Sequence, residues 1–245
     1  MEARVQKSKP QNGLLNKLSA RDLAQLRPSF AEIELRNKMV LNAPGERISH
    51  VYFPINGVVS MVNESETGDV VEFATIGPEG FVGFPVLLGA SSIPSKAFVQ
   101  VPGQALQMKV PDFRRAVEKL PKFNSLLLRS TMALLNQIAQ AASCNRLHEV
   151  QERCARWLLM THDRVQDDAF PLTQEFLAMM LGVHRPTVSI AAGMLQKAGL
   201  IEYRRGVITV LDRKGLEAAS CNCYHVIVAE YQRLLDDDKP WKSQE

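Results

Sequence analysis

Four residues with metal-binding side chains stand in two pairs in the C-terminal half of the chain. Cys144 and His148 are one helical turn apart, and Cys221 and Cys223 are separated by one residue. Thiolates and imidazoles suit a tetrahedral Zn²⁺ site. Spacing alone does not bring the two pairs together, so we predict no metal site and interpret Cys144 as a buried thiol, His148 as a polar hinge residue and Cys221 and Cys223 as the start of a terminal helix. Metal binding and redox sensing remain the alternatives for these four residues.

A second group of functional candidates is a segment rich in positively charged side chains. From Arg185 to Lys214 the chain has six Lys and Arg residues against two acidic ones, whereas the whole chain carries a net charge of only +3. A local excess of positive charge is what a phosphate-contacting surface requires. The segment therefore indicates a nucleic acid as the partner.

The residues around the start of this segment predict two short helices joined by a tight turn. Thr173 is a favourable N-cap, and Gly182 can end a first helix in the left-handed conformation. A second helix then begins at Arg185, and its inner face is apolar: Val188, Ala191, Ala192 and Leu195. Its side chains Arg185, Thr187 and Ser189 are predicted to point outwards, as in the recognition helix of a helix-turn-helix that enters a groove of DNA.

A β-hairpin is predicted directly after the second helix. Apolar runs at 200–203 and 207–211 flank a tight turn at Arg205-Gly206, with Arg204 and Arg205 at its tip. Such a hairpin is typical of a wing whose cations reach phosphates or a minor groove. The alternative is a small-molecule-binding module whose winged half contacts protein instead of DNA. The basic tip favours DNA.

The rest of the chain predicts an α+β fold. Short apolar runs from 33 to 110, separated by turn signals about every ten residues, predict an N-terminal jelly-roll-like β-roll. A long helix is expected from Pro121 to about Asn145. We place the boundaries at 1–111 for a β-roll sensor-like domain, 112–147 for a short helix and a long dimerisation helix, and 148–245 for a winged helix-turn-helix domain with a C-terminal helix.

The long helix is apolar around most of its circumference, so it needs partners on two sides. We predict that one face packs on the β-roll and the other on a symmetry mate in a C₂ homodimer. The predicted dimerisation residues are Leu127, Leu134, Ile138 and Ala141. The alternative is a central helix of one large α domain.

With these motifs the chain resembles the Crp/Fnr superfamily of bacterial transcription regulators. The residues that carry the resemblance are GPEGFVG at 77–83, LTQEFLA at 172–178 and GVHRPTV at 182–188. It implies a dimeric regulator of double-stranded DNA in which Arg185 contacts a guanine, while Thr173 and Thr187 bind backbone phosphate. RNA polymerase is a further candidate partner. Pro186 stands where many members have Glu, and Ser189 where others have Gly or Ser, so the operator sequence stays open.

The resemblance also defines which ligands the β-roll could sense. Residues 1–143 contain no Cys for an iron–sulfur cluster, and only His50 could ligate a haem, so we predict no cofactor. Members that bind cyclic nucleotides carry Gly-Glu-Leu and Arg-Ser, whereas the corresponding residues here are Gly-Phe-Pro at 83–85 and Ser-Lys-Ala at 95–97. We therefore predict a regulator that does not depend on cyclic nucleotides. The candidate pocket for an unidentified small-molecule effector contains Glu72, Gly83, Phe84, Ser95, Lys96 and Ala97.

Composition excludes several other classes of protein. The chain of 245 residues is 46% hydrophobic and 22% charged, the balance of a soluble globular protein with room for two domains. No apolar run approaches the roughly 20 residues of a membrane span, and residues 1–7 lack the apolar core of a signal peptide. We expect a cytoplasmic protein with no membrane partner. No nucleophile–base pair, phosphate loop or catalytic metal motif is present, so we predict no catalytic residues and no enzymatic activity.

Overall fold

The computed structural model describes residues 12–165 and 167–236. The residues on which the predicted lack of a signal peptide depends, and the outer ends of the predicted first and last domains, lie outside the described residues. The predicted fold class is confirmed: a β-rich N-terminal region, a long helix and a C-terminal helix-turn-helix follow one another along the chain. None of the described helices has the length and hydropathy that crossing a membrane requires.

Two antiparallel sheets form the N-terminal region. The strands are β1 (Phe30–Leu35), β2 (Val40–Asn42), β3 (His50–Pro54), β4 (Val58–Glu64), β5 (Val70–Ile76), β6 (Lys96–Val101) and β7 (Gly103–Lys109). One sheet has the strand order β1-β7-β3 and the other β2-β6-β4-β5. Alternate residues of each strand point inwards, among them Met61, Ala97 and Val99, which are buried in a core between the sheets. Because β6 and β7 are central in different sheets and follow each other in the chain, Pro102 lies where the chain passes from one sheet to the other.

Helices surround this β-roll and lead out of it. They are α1 (Ala20–Leu26), which is flanked by 3-10 turns at Leu15–Lys17 and Arg27–Ser29, then α2 (Phe84–Leu87), α3 (Val110–Lys119) and α4 (Pro121–Leu147). Pro121 occupies the first turn of α4, where its missing N–H leaves no helical hydrogen bond unmade. Phe123, Leu126 and Leu127 on α4 are buried in the core that α3 and the strands share. The long helix is thus fixed against the β-roll along its first turns.

The C-terminal region contains the winged helix. Its elements are α5 (Val150–His162), β8 (Ala169–Pro171), α6 (Gln174–Leu181), α7 (Arg185–Lys197), β9 (Ile201–Arg204), β10 (Val207–Val210), α8 (Arg213–Ala219) and α9 (Cys223–Asp236). The strands form a small antiparallel sheet in the order β8-β10-β9. A capping box formed by Glu149 and Glu152 begins α5. Leu158, Leu195 and Ile208, from α5, α7 and β10, are completely buried in one core.

The last helix lies beside the long helix instead of staying within the winged region. Asn136 on α4 donates a hydrogen bond to Glu230 on α9 over 2.7 Å, and Tyr231 donates to the side-chain oxygen of Gln137 over 3.3 Å. Leu235 is buried in the core of the β-roll side, whereas Ile227 belongs to the winged core. Helix α9, which we predicted as part of the C-terminal domain, therefore connects that domain to α4 and the β-roll.

The winged region also contacts the outer face of the four-stranded sheet. Val62 and Phe98 point away from the inside of the β-roll and are buried in the winged core. The rings of Phe98 and Phe176 meet edge to face with 6.1 Å between centroids. Trp157 on α5 donates a hydrogen bond from Nε1 to Glu72 Oε1 over 2.7 Å. These contacts bring α5 and α6 onto strands β4, β5 and β6.

Candidate nucleic-acid interface

The helix-turn-helix forms where the sequence predicts it. Thr173 Oγ1 accepts a hydrogen bond from the backbone N–H of Phe176 over 3.1 Å and so caps α6. Gly182 ends α6 with a φ of 62°, which glycine adopts without steric cost. Only two residues, Val183 and His184, then separate it from the start of α7. The turn is tight because α6 and α7 bury their apolar sides against each other.

The first turn of α7 is open to solvent. Arg185, Pro186 and Thr187 are exposed, whereas Val188 is fully buried. The Arg185 guanidinium lies 3.2 Å from a carboxylate oxygen of Glu175, and both side chains are mostly exposed. An exposed ion pair of this kind contributes little free energy, so Glu175 orients Arg185 without preventing it from taking another partner.

Two residues of α7 differ from the predicted pattern. Ser189, predicted to point outwards, is half-buried, and its hydroxyl lies 2.7 Å from Gln174 Oε1 and 3.1 Å from the carbonyl oxygen of Arg185. It therefore holds α6 and α7 together. Ile190, which we did not predict as a surface contact, is 67% exposed. The helical period could have shown this, because residue 190 lies about 200° around the helix from buried Val188.

The predicted wing is present beside α7. Strands β9 and β10 pair with Arg204 opposite Val207, and the two residues between them have positive φ angles, 50° for Arg205 and 80° for Gly206. This backbone matches the two-residue hairpin turn whose twist suits antiparallel strands. Arg204 and Arg205 are both exposed. The wing thus presents two cations at its tip.

The predicted effector pocket is wrong as a single site. The two faces of the four-stranded sheet separate its residues: Lys96 points outwards with Phe98, while Ala97 is buried inside the β-roll. Glu72 also faces the winged region, through Trp157. Successive residues of a strand point to opposite faces, so Lys96 and Ala97 cannot line the same cavity.

The other members of that pocket fill the β-roll. Half-buried Phe84 packs against the two cores inside it, and Gly83 has a φ of 107°, where an added Cβ would lie only 3.1 Å from Val51 Cγ2. Ser95 is almost completely buried just before β6. Phe84 and Gly83 therefore belong to the inner, apolar side of the β-roll, away from Lys96.

A cleft of about 520 Å³ lies instead between the sheet and the winged helix. The predicted effector residue Lys96 and the predicted phosphate contact Thr173 both line this cleft. Much of the remaining lining comes from β4, β5, β6 and α6 and includes Val62, Glu64, Val70, Phe98, Gln100, Phe176 and Met179. The charged residues of the lining are two lysines, Lys38 and Lys96, and two glutamates, Glu64 and Glu175.

Glu72 is the one carboxylate buried between the two regions among the described residues. Burial raises its pKa to about 7, against smaller opposing effects of its hydrogen bonds and of Arg156 and Arg164. Trp157 satisfies one carboxylate oxygen, and Oε2 has no hydrogen-bond partner among the described residues. Near neutral pH this contact therefore exists in two protonation states.

The predicted dimerisation residues lie mostly on the face of α4 that packs inside the same chain. Leu127, Leu134 and Ala141 are buried, and Leu134 and Ile138 pack on the core of the β-roll within the same chain. The exposed apolar stripe of α4 is a different set: Leu128, Met132, Leu135, Ala139 and Ala142. The sequence showed that both faces are apolar, but not which of them the β-roll covers.

The fold does bring the four cysteine and histidine residues together. The ligand atoms of Cys144, His148, Cys221 and Cys223 all lie within 4.8 Å of one another. We predicted no metal site because the spacing does not join the two pairs, and the packing of α9 along α4 joins them. Cys144 and His148 stand at the end of α4, so the cluster lies at the hinge between α4 and α5, away from α7 and the wing.

Two family models match the chain. Residues 32–119 match the model described as a cyclic nucleotide-binding domain, and residues 152–219 match that of a Crp-like helix-turn-helix domain. The first match covers the strands of the β-roll and α3, and the second covers α5 to α8. No curated protein has a significantly similar sequence.

Solved structures share the fold at low sequence identity. The structure of FixK2 from Bradyrhizobium japonicum is 19% identical with a TM-score of 0.67, and the similarity covers 78% of this chain and 98% of that one. A putative transcriptional regulator of the Crp/Fnr family from Eubacterium rectale is 14% identical with a TM-score of 0.65, covering 84% and 96%. The c-di-GMP responsive global regulator CLP of Xanthomonas campestris is 16% identical with a TM-score of 0.63, covering 78% and 99%.

The matches and the geometry define a class of protein. A β-roll of the cyclic nucleotide-binding type, a long helix and a winged helix-turn-helix form a DNA-binding transcription regulator. The chain belongs to the Crp/Fnr family of these regulators, as the sequence motifs indicated.

Proposed function

We propose that the protein is a homodimeric cytoplasmic regulator that recognises specific DNA sequences with α7 and does not respond to cyclic nucleotides. The observation that carries this proposal is the exposed first turn of α7 with Arg185, in a domain whose wing presents two further cations at its tip. The family is one of regulators, and we expect no catalytic activity. RNA polymerase is a candidate partner once the dimer is on DNA.

Each exposed group has a role that its chemistry allows. Arg185 can donate two parallel hydrogen bonds to O6 and N7 of a guanine in the major groove. Thr173 uses its oxygen to accept the capping hydrogen bond, so its hydroxyl hydrogen remains available to a phosphate. Thr187 is exposed in the first turn of α7, where the helix dipole attracts anions. Ile190 can contact the methyl group of a thymine.

Pro186 and Ser189 have supporting roles in this proposal. Pro186 replaces a donor or acceptor at the exposed surface with an apolar ring, which limits the bases that α7 can contact by hydrogen bonds. Ser189 fixes the angle between α6 and α7 through Gln174. Arg204 and Arg205 would add phosphate contacts on the flanking DNA.

The dimer interface we propose is the exposed stripe of α4. Its residues Leu128, Met132, Leu135, Ala139 and Ala142 recur at alternating steps of four and three, the seam of a two-stranded coiled coil. The occupant is the same stripe of a second copy, because a two-fold axis pairs identical surfaces. Such a dimer presents two α7 helices to DNA, and half-sites about 34 Å apart would match one turn of the duplex.

The experiment is selection of bound sequences from a random pool of DNA duplexes with the full-length protein. We expect an enriched two-fold symmetric motif. Replacing Arg185 with Ala should weaken binding to that motif by about 1–3 kcal/mol and relax the preference at one base pair of each half-site. Arg36→Ala is the matched control, because Arg36 is an exposed arginine on the β-roll. Identical base preferences for the wild type and Arg185→Ala would refute the role of α7.

A further inference from the structure

We propose that Cys144, His148, Cys221 and Cys223 form a tetrahedral Zn²⁺ site that joins the end of the long helix to the start of the last helix. Each residue offers one ligand atom, and the four atoms lie within 4.8 Å of one another. Three thiolates and one imidazole are an established ligand set for structural zinc.

The distances between the ligand atoms suit a common metal ion. Cys144 Sγ and Cys221 Sγ are 3.4 Å apart, and so are Cys223 Sγ and His148 Nδ1. In a tetrahedron with zinc–sulfur bonds of about 2.3 Å, neighbouring sulfurs are separated by about 3.8 Å. The longest separation among the four atoms is no more than 4.8 Å, so side-chain shifts of about 1 Å or less produce the zinc geometry.

The backbone presents the four side chains in two rigid pairs. Cys144 lies in the last turn of α4, and His148 is its C-cap, so both ligands project from one side of a helix end. Cys223 is the first residue of α9, and Cys221 precedes it in the turn after α8. A metal ion shared by both pairs would fix α9 to α4 at the point where the chain turns into α5.

The surroundings of the thiols favour thiolates bound to a cation. The three cysteines are buried in a small cluster of their own, separate from the larger hydrophobic cores. Gln140 Nε2 lies 3.1 Å from Cys223 Sγ, as an outer hydrogen bond that supports a ligating sulfur. Arg156, a buried cation, lies close enough to Cys144 to interact with it electrostatically. Zinc with three thiolates carries one negative charge, which Arg156 can balance.

Cys154 shows how a structural thiol differs. It is completely buried among apolar residues of the winged core, and burial raises its pKa to about 12. Among the described residues, it belongs to no group of three or more side chains that could hold a metal ion. Cys154 therefore behaves as a small apolar side chain and supplies a control for the cluster.

A disulfide is the competing chemistry for this cluster. Cys144 and Cys221 are close enough that a modest movement would bring their sulfurs to the bonding distance of about 2.05 Å. A disulfide leaves Cys223 and His148 without a reason to converge on the same point. Zinc accounts for all four residues, and we therefore choose it over oxidation.

The experiment measures zinc in the full-length protein, which is purified under reducing conditions without chelator, incubated with Zn²⁺ and desalted. We expect one zinc per chain by mass spectrometry of the elements. The variants Cys223→Ser and His148→Gln should lose at least half of it, whereas the controls Cys154→Ala and His225→Gln should retain it. His225 is an exposed histidine on α9 outside the cluster.

A second measurement keeps the test valid if a variant fails to fold. Wild-type protein freed of metal and loaded with Co²⁺ should show the intense visible bands of tetrahedral cobalt, together with thiolate charge-transfer absorption. Zinc well below one per chain in the wild type, octahedral cobalt spectra, or a Cys144–Cys221 disulfide in reduced cells would each overturn the proposal. None of these readouts requires DNA, so they separate failure of the zinc site from failure of the proposed function.

Discussion

The surface of α7 and the wing and the face of the β-roll under α5 place their charges in opposite environments. Around α7 and the wing, Arg185, Arg204 and Arg205 are exposed, and the one ion pair of Arg185, with Glu175, is itself exposed and easily exchanged for a new partner. On the β-roll, Glu72 is buried under α5 and has no solvent. An exposed charge changes binding with little effect on folding, whereas a buried charge changes folding and its pH dependence. The effects of substitutions around α7 and the wing should therefore be measured by DNA binding, and those of substitutions at Glu72 by unfolding at several pH values.

Helix α4 lies between the regions and contains both environments in one element. Leu134 is buried against the β-roll, while its neighbour Leu135 is 45% exposed on the proposed dimer seam. A charge at position 134 should lower the stability of the fold, whereas a charge at position 135 should weaken the proposed dimer. The pair therefore tests whether the two faces of α4 have the separate roles that we assign to them.

The largest expected effect is that of Leu135→Glu. The new carboxylates would meet across the two-fold seam, lose solvent and repel each other, so the dimer should dissociate into folded monomers. Affinity for a symmetric operator should fall by roughly 100- to 10,000-fold because the second half-site is no longer linked. Light scattering gives the mass, and titration with the selected duplex gives the affinity.

Leu134→Glu is the matched control for this substitution. It buries the charge within one chain, so it should lower the free energy of unfolding instead of changing only the mass. A wild-type protein that is monomeric at working concentrations, or a Leu135→Glu variant that stays dimeric, would show that the exposed stripe is not the seam.

The next effect concerns Glu72→Gln and stability. The pKa of Glu72 is raised to about 7 in the fold, so the unfolded chain releases this proton more readily and the wild type loses stability as pH rises from about 4.5 to 7. At pH 8 the variant should be about 3 kcal/mol more stable than the wild type, and this gain should vanish near pH 4. Urea unfolding at several pH values measures both curves.

An exposed carboxylate on the same β-roll provides the control. Glu32 on β1 is exposed, so Glu32→Gln removes a carboxylate that is not buried and is the matched control for Glu72→Gln. Parallel curves for the wild type and Glu72→Gln across this range would mean that Glu72 does not hold its proton in the fold.

The same contrast explains what the sequence could predict. Thr173, Gly182 and Arg185 lie within thirteen residues, and the local chemistry of caps, turns and helical periods defines their geometry. The effector pocket could not be predicted because strand register decides which face of the sheet each residue takes: Glu72 and Lys96 both pair with Val62 and share its outward direction, whereas Ala97 points inwards. The sequence did not predict that the four residues of the cysteine cluster come together. The contact joins α9 to α4 across about 80 residues, and no local pattern encodes it.

A smaller effect is expected at the wing. Arg205→Asn removes one cation, and Asn tolerates the positive φ of this turn position. Binding should weaken by a similar factor on selected and unrelated duplexes, and the slope of log affinity against log salt should decrease by about one unit. Fluorescence anisotropy at several salt concentrations measures this slope. A loss confined to one base pair would mean that Arg205 contacts a base edge instead of a phosphate.

The smallest expected effect is that of cyclic AMP, which should not change operator affinity at all. A buried cyclic phosphate needs a charge-assisted partner, because leaving it unpaired costs several kcal/mol. Lys96 is the cation of the predicted pocket that could pair with the phosphate, but its ammonium lies over the Phe98 ring on the outer face of the sheet. Phe84 is half-buried against the apolar cores of the β-roll, and Glu72 is hydrogen-bonded to Trp157 on the outer face.

Calorimetric titration with cyclic AMP to about millimolar concentration should therefore give no saturable heat, since binding weaker than that is worth less than about 4 kcal/mol. The same preparation must bind the selected duplex, which shows that the protein is competent. Saturable binding at micromolar concentration would require Phe84 and α2 to move and the β-roll to open. That result would remove the contrast between the two regions, because the β-roll would then also take an anionic ligand, and it would make the match to the cyclic nucleotide-binding model one of ligand as well as of fold.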